Sequence, residues 1–322
     1  MSYSATTANN EHITLLFAGD ISFSGPIKYY VEHKYNTYND CFNDVARYIR
    51  EADISVGNLE SPFVDKDVYR HMYKGKKSII LDASPEAAPA LSFAGFDAVT
   101  LANNHFNDFG SEGANFSAEV LKKTGIKYFG ISFGKYDSSQ EPLILEMNGI
   151  KIGFLGYCDI VSKNKNCTEM RMLFNSGPAI YRDDIATRDV SKLKANVDII
   201  AVYIHYGQEL YLEPLPYQLH INKHLMSLGV QIIIGAHPHV LQPHYIKDNK
   251  LIAYSMGNFI FHPKETMRGS DPRVYGRLGV ESNKFLRESF EHYVLERSED
   301  LKATQMLKVT ISRYILFKGN IS

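Results

Sequence analysis

The stretch VQIIIGAHPHV, residues 230–240, sets a β-branched run directly before a glycine and two histidines separated by one proline. Three consecutive isoleucines cannot alternate between core and solvent, so the run reads as a strand covered on both faces, as in a parallel sheet. His237-Pro238-His239 falls where that strand ends, and the fixed φ of proline stiffens the turn that aims both imidazoles. Working outward, Asp198–Ile204 (DIIAVYI) repeats the pattern and ends at His205. Asp97–Ala102 (DAVTLA) leads into Asn103-Asn104-His105, the run from Asp53 to Val56 into Gly57-Asn58-Leu59-Glu60, and Ile13–Ala18 (ITLLFA) into Gly19-Asp20.

Helical patterns lie between these runs. Tyr38–Arg50 carries Phe42, Val45, Ala46 and Ile49 on one stripe and is expected to form one helix. Ser84-Pro85 opens another, Ser111–Lys123 a third that stops at Gly125, and Pro216–Leu228 a fourth that stops at Gly229. Strand–helix alternation predicts parallel βαβ units. Two stretches look antiparallel instead: Leu143–Met147 and Ile150–Gly156 flank Asn148-Gly149, and Tyr245–Lys247 and Leu251–Tyr254 flank Asp248-Asn249-Lys250. The expectation is an α/β chain with a mixed sheet or two stacked sheets. Residues 12–262 form the expected main domain. Residues 263–322 form a charged extension, with an amphipathic piece around Phe285, Phe290 and Val294 and a last strand at Leu307, Val309 and Ile311.

Composition narrows the function. The chain has 322 residues, 44% hydrophobic and 22% charged, with a net charge of −1, which is globular and lacks the basic excess of a nucleic-acid binder. No apolar run reaches the roughly 18 residues of a membrane span, and the first eleven residues carry no basic start or apolar stretch of a secretory signal. Cys41, Cys158 and Cys167 are odd in number and lack a CxxC pair, which fits a reducing, cytoplasmic compartment and argues against a thiolate metal site.

Each of the five apolar runs ends at a residue able to bind a metal: Asp20, Glu60, Asn104 with His105, His205, and His237 with His239. In open α/β sheets, sites form beyond the carboxyl ends of the strands. A mixed nitrogen and oxygen donor set without thiolate suits Mn, Fe, Zn or Ni better than Ca. Taken singly, each residue has an ordinary reading: Asp20 as a cap, Glu60 as a loop carboxylate, His205 as a core histidine.

In order along the chain, GD (19–20), GNLE (57–60), NNH (103–105), HYG-E (205–209), GAHPHV (235–240) and SMGNFIF (255–261) resemble the poly-gamma-glutamate capsule synthesis proteins, the CapA family. That family is similar to the calcineurin-like metallophosphoesterases. The resemblance implies a metallo-dependent phosphatase-like sandwich of two β-sheets flanked by helices, with one or two divalent ions (Mn, Fe or Zn) at the sheet edge. It implies Asp20 and His239 on one metal, Asn104, His205 and His237 on the other, Glu60 bridging, and His105 as general acid. Two departures stand out. Asp20-Ile21-Ser22 replaces Asp-x-His, and Asn58 stands where a bridging Asp is usual. Tyr206 replaces a tryptophan and is expected to keep an aromatic wall.

The implied activity is metal-dependent hydrolysis of a small-molecule phosphoester. One alternative is a non-hydrolytic role in the synthesis or transport of an anionic polymer such as poly-gamma-glutamate, and another is a metal-free binding module. Glu209 and Asp159 read first as surface residues, with outer partners of the ligands as the alternative. Gly257 and Asn258 read as shaping a turn, with Asn258 as a substrate contact the alternative, and Lys74-Gly75-Lys76-Lys77 reads as a solvated loop before an anion contact.

Overall fold

The computed structural model describes residues 12–75, 77, 79–160, 167–261, 304–312 and 318–321. The piece around Phe285, Phe290 and Val294 lies outside the described residues. Parallel strands β1 (His12–Ile21), β2 (Ile54–Leu59), β3 (Ala98–Thr100) and β4 (Lys127–Phe129) lie side by side in the first sheet. A short antiparallel pair stands apart, β5 (Ile131–Phe133) with β8 (Ser176–Pro178). The second sheet runs β11 (His244–Lys247), β12 (Lys250–Ala253), β10 (Ile232–Ala236), β9 (Ile199–Tyr206), β7 (Ile150–Asp159), β6 (Leu143–Met147). Its inner neighbours are parallel, and its edges are the two hairpins expected from Asn148-Gly149 and Asp248-Asn249. Strand β13 (Asn258–Ile260) joins the carboxyl end of β1 in parallel. On the amino-terminal side β14 (Met306–Ser312) pairs antiparallel with β1, and β15 (Lys318–Ile321) with β14.

The two sheets stack, and their burial explains the unbroken hydrophobic runs. Ile13, Leu15 and Phe17 of β1 meet Ile232 and Ile234 of β10, Ala201 and Tyr203 of β9, and Phe154 of β7 in the core between the sheets. The alternate residues face outward into two further cores. Leu16 and Ala18 pack with Leu91 and Ala94 of the helix Ala88–Ala94 and Ala114 and Leu121 of the helix Gly110–Thr124. Ile233 packs with Ile221 and Leu225 of the helix Pro216–Leu228 and Val190 and Leu193 of the helix Asp183–Lys194. Each isoleucine of the 232–234 run is therefore fully buried, contributing roughly 1.5–3 kcal/mol. The layers run helix, sheet, sheet, helix, the metallophosphatase-like sandwich that the sequence implied.

Two expectations need correction. Tyr38–Arg50 is a turn of 3₁₀ helix at Tyr38–Phe42 followed by a short α-helix at Ala46–Arg50. Asp40 accepts the Thr37 amide at 2.7 Å in a capping box that starts the 3₁₀ turn, and the amides of Val45 and Tyr48 bond three residues back, to Phe42 and Val45, in the tighter 3₁₀ pattern. The cysteines also differ from expectation. Cys158, at the end of β7, is joined to Cys167 by a disulfide across a Cα–Cα distance of 6.1 Å, and Cys41 is free. The bridge links the end of β7 to the start of the helix Cys167–Met172. Among the described residues no helix is long and apolar enough to cross a membrane.

Candidate metal centre

The carboxyl ends of β1, β2, β3, β9 and β10 open on one edge of the sandwich. Asp20, Glu60, Asn104, His105, His205, His237 and His239 all converge there, each at most 4% exposed. His205 Nε2 lies 2.9 Å from Asn104 Oδ1 and 3.2 Å from His237 Nδ1. Glu60 Oε1 is 3.8 Å from His205 Nε2, 3.8 Å from His239 Nε2 and 4.0 Å from His105 Nε2. Asp20 Oδ2 is 3.4 Å from His239 Nδ1. Three donor clusters result, Glu60–His205–His237, Asp20–Glu60–His239 and Glu209–His237–His239, and Glu60 is common to the first two.

Lone pairs of carboxylates, imidazoles and an amide oxygen, packed this closely and shielded from water, favour a cation among them. Burial, with the neighbouring His237 and His239 adding to it, holds His205 well below the usual histidine range. It is therefore neutral, as a metal ligand must be. Burial raises Asp20, against the counter-pull of His239 and of hydrogen bonds from Asn58 and the His237 amide. Among the described residues, Nδ2 of Asn104 and Nδ2 of Asn258 are buried without a hydrogen-bond partner. This donor set fits one or two divalent transition ions.

Backbone geometry holds the ligands. His237 and His239 have φ of 97° and 59°, left-handed values that a residue with a Cβ seldom adopts. The His237 amide donates to Asp20 Oδ2 at 3.2 Å, so the strained turn also fixes the carboxylate on β1. Strain of this kind, of order 1–3 kcal/mol per residue, concentrates where function requires a particular aim. Gly19 lets β1 approach β13: a Cβ on it would lie 2.1 Å from the carbonyl oxygen of Gly257. The same carbonyl accepts the Asp20 amide at 3.0 Å.

Several participants escaped the sequence reading. Asn103 Nδ2 donates to Asn58 Oδ1 at 3.1 Å, and Asn58 Nδ2 donates to Asp20 Oδ1 at 2.8 Å. Asn58, where a bridging carboxylate was usual, instead orients Asp20. Asp108 Oδ2 accepts from His105 Nδ1 at 2.7 Å, and its other oxygen is paired with Lys77. Lys77 is buried and donates to the Asn104 carbonyl at 2.6 Å, so this end of the lysine loop is an internal ion pair and not solvated. Burial alone would raise Asp108, but Lys77 and His105 more than offset it and hold the carboxyl below its usual range. The available signal was Asp108 three residues beyond His105, on the same turn; Lys77 carried none.

Other expected contacts fall elsewhere. Asn258 Oδ1 lies 2.8 Å from His239 Nδ1, against a ligand. Tyr206 belongs to the outer core, its hydroxyl within 2.9 Å of Asn222 Nδ2, and forms no wall of the centre because it follows His205 on the opposite face of β9. Asp159 is in register with Tyr206 and shares that outer face, lining a cavity of about 510 Å³ with Tyr181, Asp183 and Tyr217.

Known proteins resemble this chain in sequence and in fold. The profile of the family described as "Bacterial capsule synthesis protein PGA_cap" matches residues 14–263. The Bacillus anthracis "Capsule biosynthesis protein CapA" is 30% identical over 256 residues, covering 78% of this chain and 60% of that one. The Bacillus subtilis "PGA biosynthesis protein CapA" is 28% identical over 257 residues, covering 79% and 65%. This chain thus spans less than two thirds of either relative. A Staphylococcus aureus protein, provisionally assigned as a 5′-nucleotidase and crystallised with alpha-ketoglutarate, shares the fold. Its TM-score is 0.52 at 13% identity, with 96% of this chain and 53% of that chain covered.

Proposed function

Because the chain belongs to the bacterial capsule synthesis protein PGA_cap family, we propose that it is a metal-dependent hydrolase of phosphoester type, with one or two Mn, Fe or Zn ions at the sheet edge. The observation that carries this reading is the pair of donor clusters sharing Glu60. Asn104, His205 and His237 would hold one ion and Asp20 and His239 the other, with Glu60 between them. Bound there, a divalent ion lowers the pKa of a coordinated water toward about 7 and neutralises phosphoryl oxygens.

The chain's own residues supply the rest. His105 turns Nδ1 to Asp108 and Nε2 toward the centre, 4.0 Å from Glu60. Asp108 stabilises the protonated imidazole against the opposing charge of Lys77, whose Nζ lies 3.2 Å from the same Nδ1, and Nε2 then carries the proton for the leaving-group oxygen. Such general acid help is worth roughly 10²–10⁴-fold. Asn58 and the His237 amide fix Asp20 through both carboxylate oxygens, so the ligand does not have to reorganise as charge develops.

The test is metal analysis of the purified chain, then a screen of p-nitrophenyl phosphate, bis(p-nitrophenyl) phosphate and gamma-glutamyl peptides. Turnover should require metal and fall at least 100-fold in His105→Ala and His237→Ala. Turnover equal to the unsubstituted chain in both variants would refute the assignment. The relatives' names favour a second reading, in which the site binds an anionic capsule polymer without cleaving it. Metal and poly-glutamate binding with no turnover in the screen would select that reading. The Cys158–Cys167 bridge supports an oxidising compartment over the cytoplasm. Non-reducing peptide mapping that found free thiols at both positions would remove this support.

A further inference from the structure

We propose that Glu209 is a metal ligand of this chain, supplying a carboxylate to the ion held by Asp20, Glu60 and His239. The inference rests on the metal-centre reading above and extends it. Asp20, Glu60 and His239 give that ion three donor residues. With one coordinated water they fill a tetrahedral site but leave room in the octahedral shell of an oxygen-rich Mn²⁺ site. Ser22, two residues beyond Asp20 and just past the end of β1, is buried, and its hydroxyl accepts the Ser24 amide at 3.3 Å. No imidazole or carboxylate comes from there. A carboxylate oxygen of Glu209 does reach the site, within 4.8 Å of ligand nitrogens of both His237 and His239.

The backbone delivers Glu209 to this place. β9 ends at Tyr206, and Gly207, at φ 96°, turns the chain back over the edge, with its amide donating to the Tyr217 hydroxyl at 2.6 Å. Leu210 then adopts φ 64° and donates its amide to the carbonyl of Pro238 at 2.8 Å. The loop bearing Glu209 is thus tied to the residue between the two ligand histidines. Gln242 holds the next turn, donating to the Tyr211 carbonyl at 2.8 Å. A left-handed leucine costs roughly 1–2 kcal/mol, and here it accompanies a hydrogen bond that fixes a carboxylate beside two imidazoles.

Glu209 is also half-buried where the other donors are buried, so it faces the open side of the centre. Its carboxylate makes the second position oxygen-rich, with Asp20, Glu60 and Glu209 against one imidazole. That balance suits Mn²⁺ over Zn²⁺.

The experiment is titration of the chelator-stripped full chain with Mn²⁺ and, separately, Zn²⁺, by calorimetry and by Mn²⁺ paramagnetic resonance. Circular dichroism of the metal-free variants serves as a fold control. The unsubstituted chain should bind two Mn²⁺. Glu209→Gln should weaken one of them by about 100-fold and leave the other, Glu209→Asp should restore part of the loss, and the effect should be larger for Mn²⁺ than for Zn²⁺. Two unchanged Mn²⁺ affinities in a folded Glu209→Gln would overturn the proposal and leave the metal centre intact. Absence of binding by the unsubstituted chain would overturn both.

Discussion

Asp108 Oδ2 lies 2.7 Å from Nδ1 of His105, and its other carboxylate oxygen is paired with the buried ammonium of Lys77. This makes His105 the inner end of a charged relay. Asp108→Asn should lower kcat for an alkyl phosphate by about 10–100-fold and act much less on p-nitrophenyl phosphate, whose leaving group needs little protonation. Equal losses on both substrates would mean that Asp108 only supports the fold. The same variant strands the Lys77 charge, a cost of about 3–5 kcal/mol. Pairing it with Lys77→Met should recover most of that stability without recovering kcat.

The His237 backbone permits a separation of strain from ligation. His237→Ala and His237→Gly both remove the imidazole, and both should lose metal. At φ 97° only glycine is comfortable, so the glycine variant should be about 1 kcal/mol more stable than the alanine variant in chelator-treated protein. Urea unfolding compares them directly. Equal midpoints would show that the turn relaxes once the ligand is gone.

How far the sequence revealed this arrangement depends on the range of the interaction. The 232–234 isoleucine run showed a doubly covered strand because burial on two faces imprints directly on composition. The strand-end residues Asp20, Asn104, His205 and His237 stood out because parallel strands deliver their carboxyl ends to one edge, and all of them meet there. What stayed hidden depends on contacts that no local pattern marks. Lys77 reaches Asp108 from a loop with no periodicity, and the bridge between Cys158 and Cys167 joins residues nine apart with no spacing motif to announce it. Glu209 was visible in its motif, but not how it is held: Leu210 beside it has a left-handed backbone that nothing in its chemistry suggests. Tyr38–Arg50 misled for the opposite reason: its apolar stripe was real, but i→i+3 bonds at Phe42–Val45 and Val45–Tyr48 divide the segment, and the same stripe suits a 3₁₀ turn followed by a short helix.

Gly19 shows the cost of adding one atom behind the centre. A Cβ there would sit 2.1 Å from the Gly257 carbonyl oxygen and 2.9 Å from that of Met256. Both obstacles are backbone, so β13 would have to move away and release the Asp20 amide. Gly19→Ala should destabilise the chain by about 1–3 kcal/mol and weaken metal binding, since Asp20 moves with β1. Gly125→Ala is the comparison, because its Cβ would meet nothing within 4 Å and its effect should be confined to the strain at φ 81°. Metal affinity unaffected by Gly19→Ala would break the link between β13 pairing and Asp20.

Asp159 faces away from the metals, and its behaviour with pH should be a property of stability alone. Burial first, then the negative Asp183, raises its pKa from 3.8 to about 6. Asp183 is itself held low: burial would raise it, but the Tyr181 hydroxyl, His224 and His220 more than offset that. It therefore stays charged and repels. A carboxyl whose folded pKa exceeds its unfolded value binds more protons when folded, so its contribution is fully present below about pH 4 and is lost as pH rises through about 6. The loss at pH 8 is at most about 3 kcal/mol at 1.36 kcal/mol per unit. Asp159→Asn should accordingly raise stability at pH 8 by about 1–3 kcal/mol, and the gain should vanish near pH 4. Asp183→Asn should lower the Asp159 pKa and shrink the gain. Denaturant unfolding between pH 4 and pH 8 measures both; a gain independent of pH would mean that packing, and not ionisation, separates the two side chains.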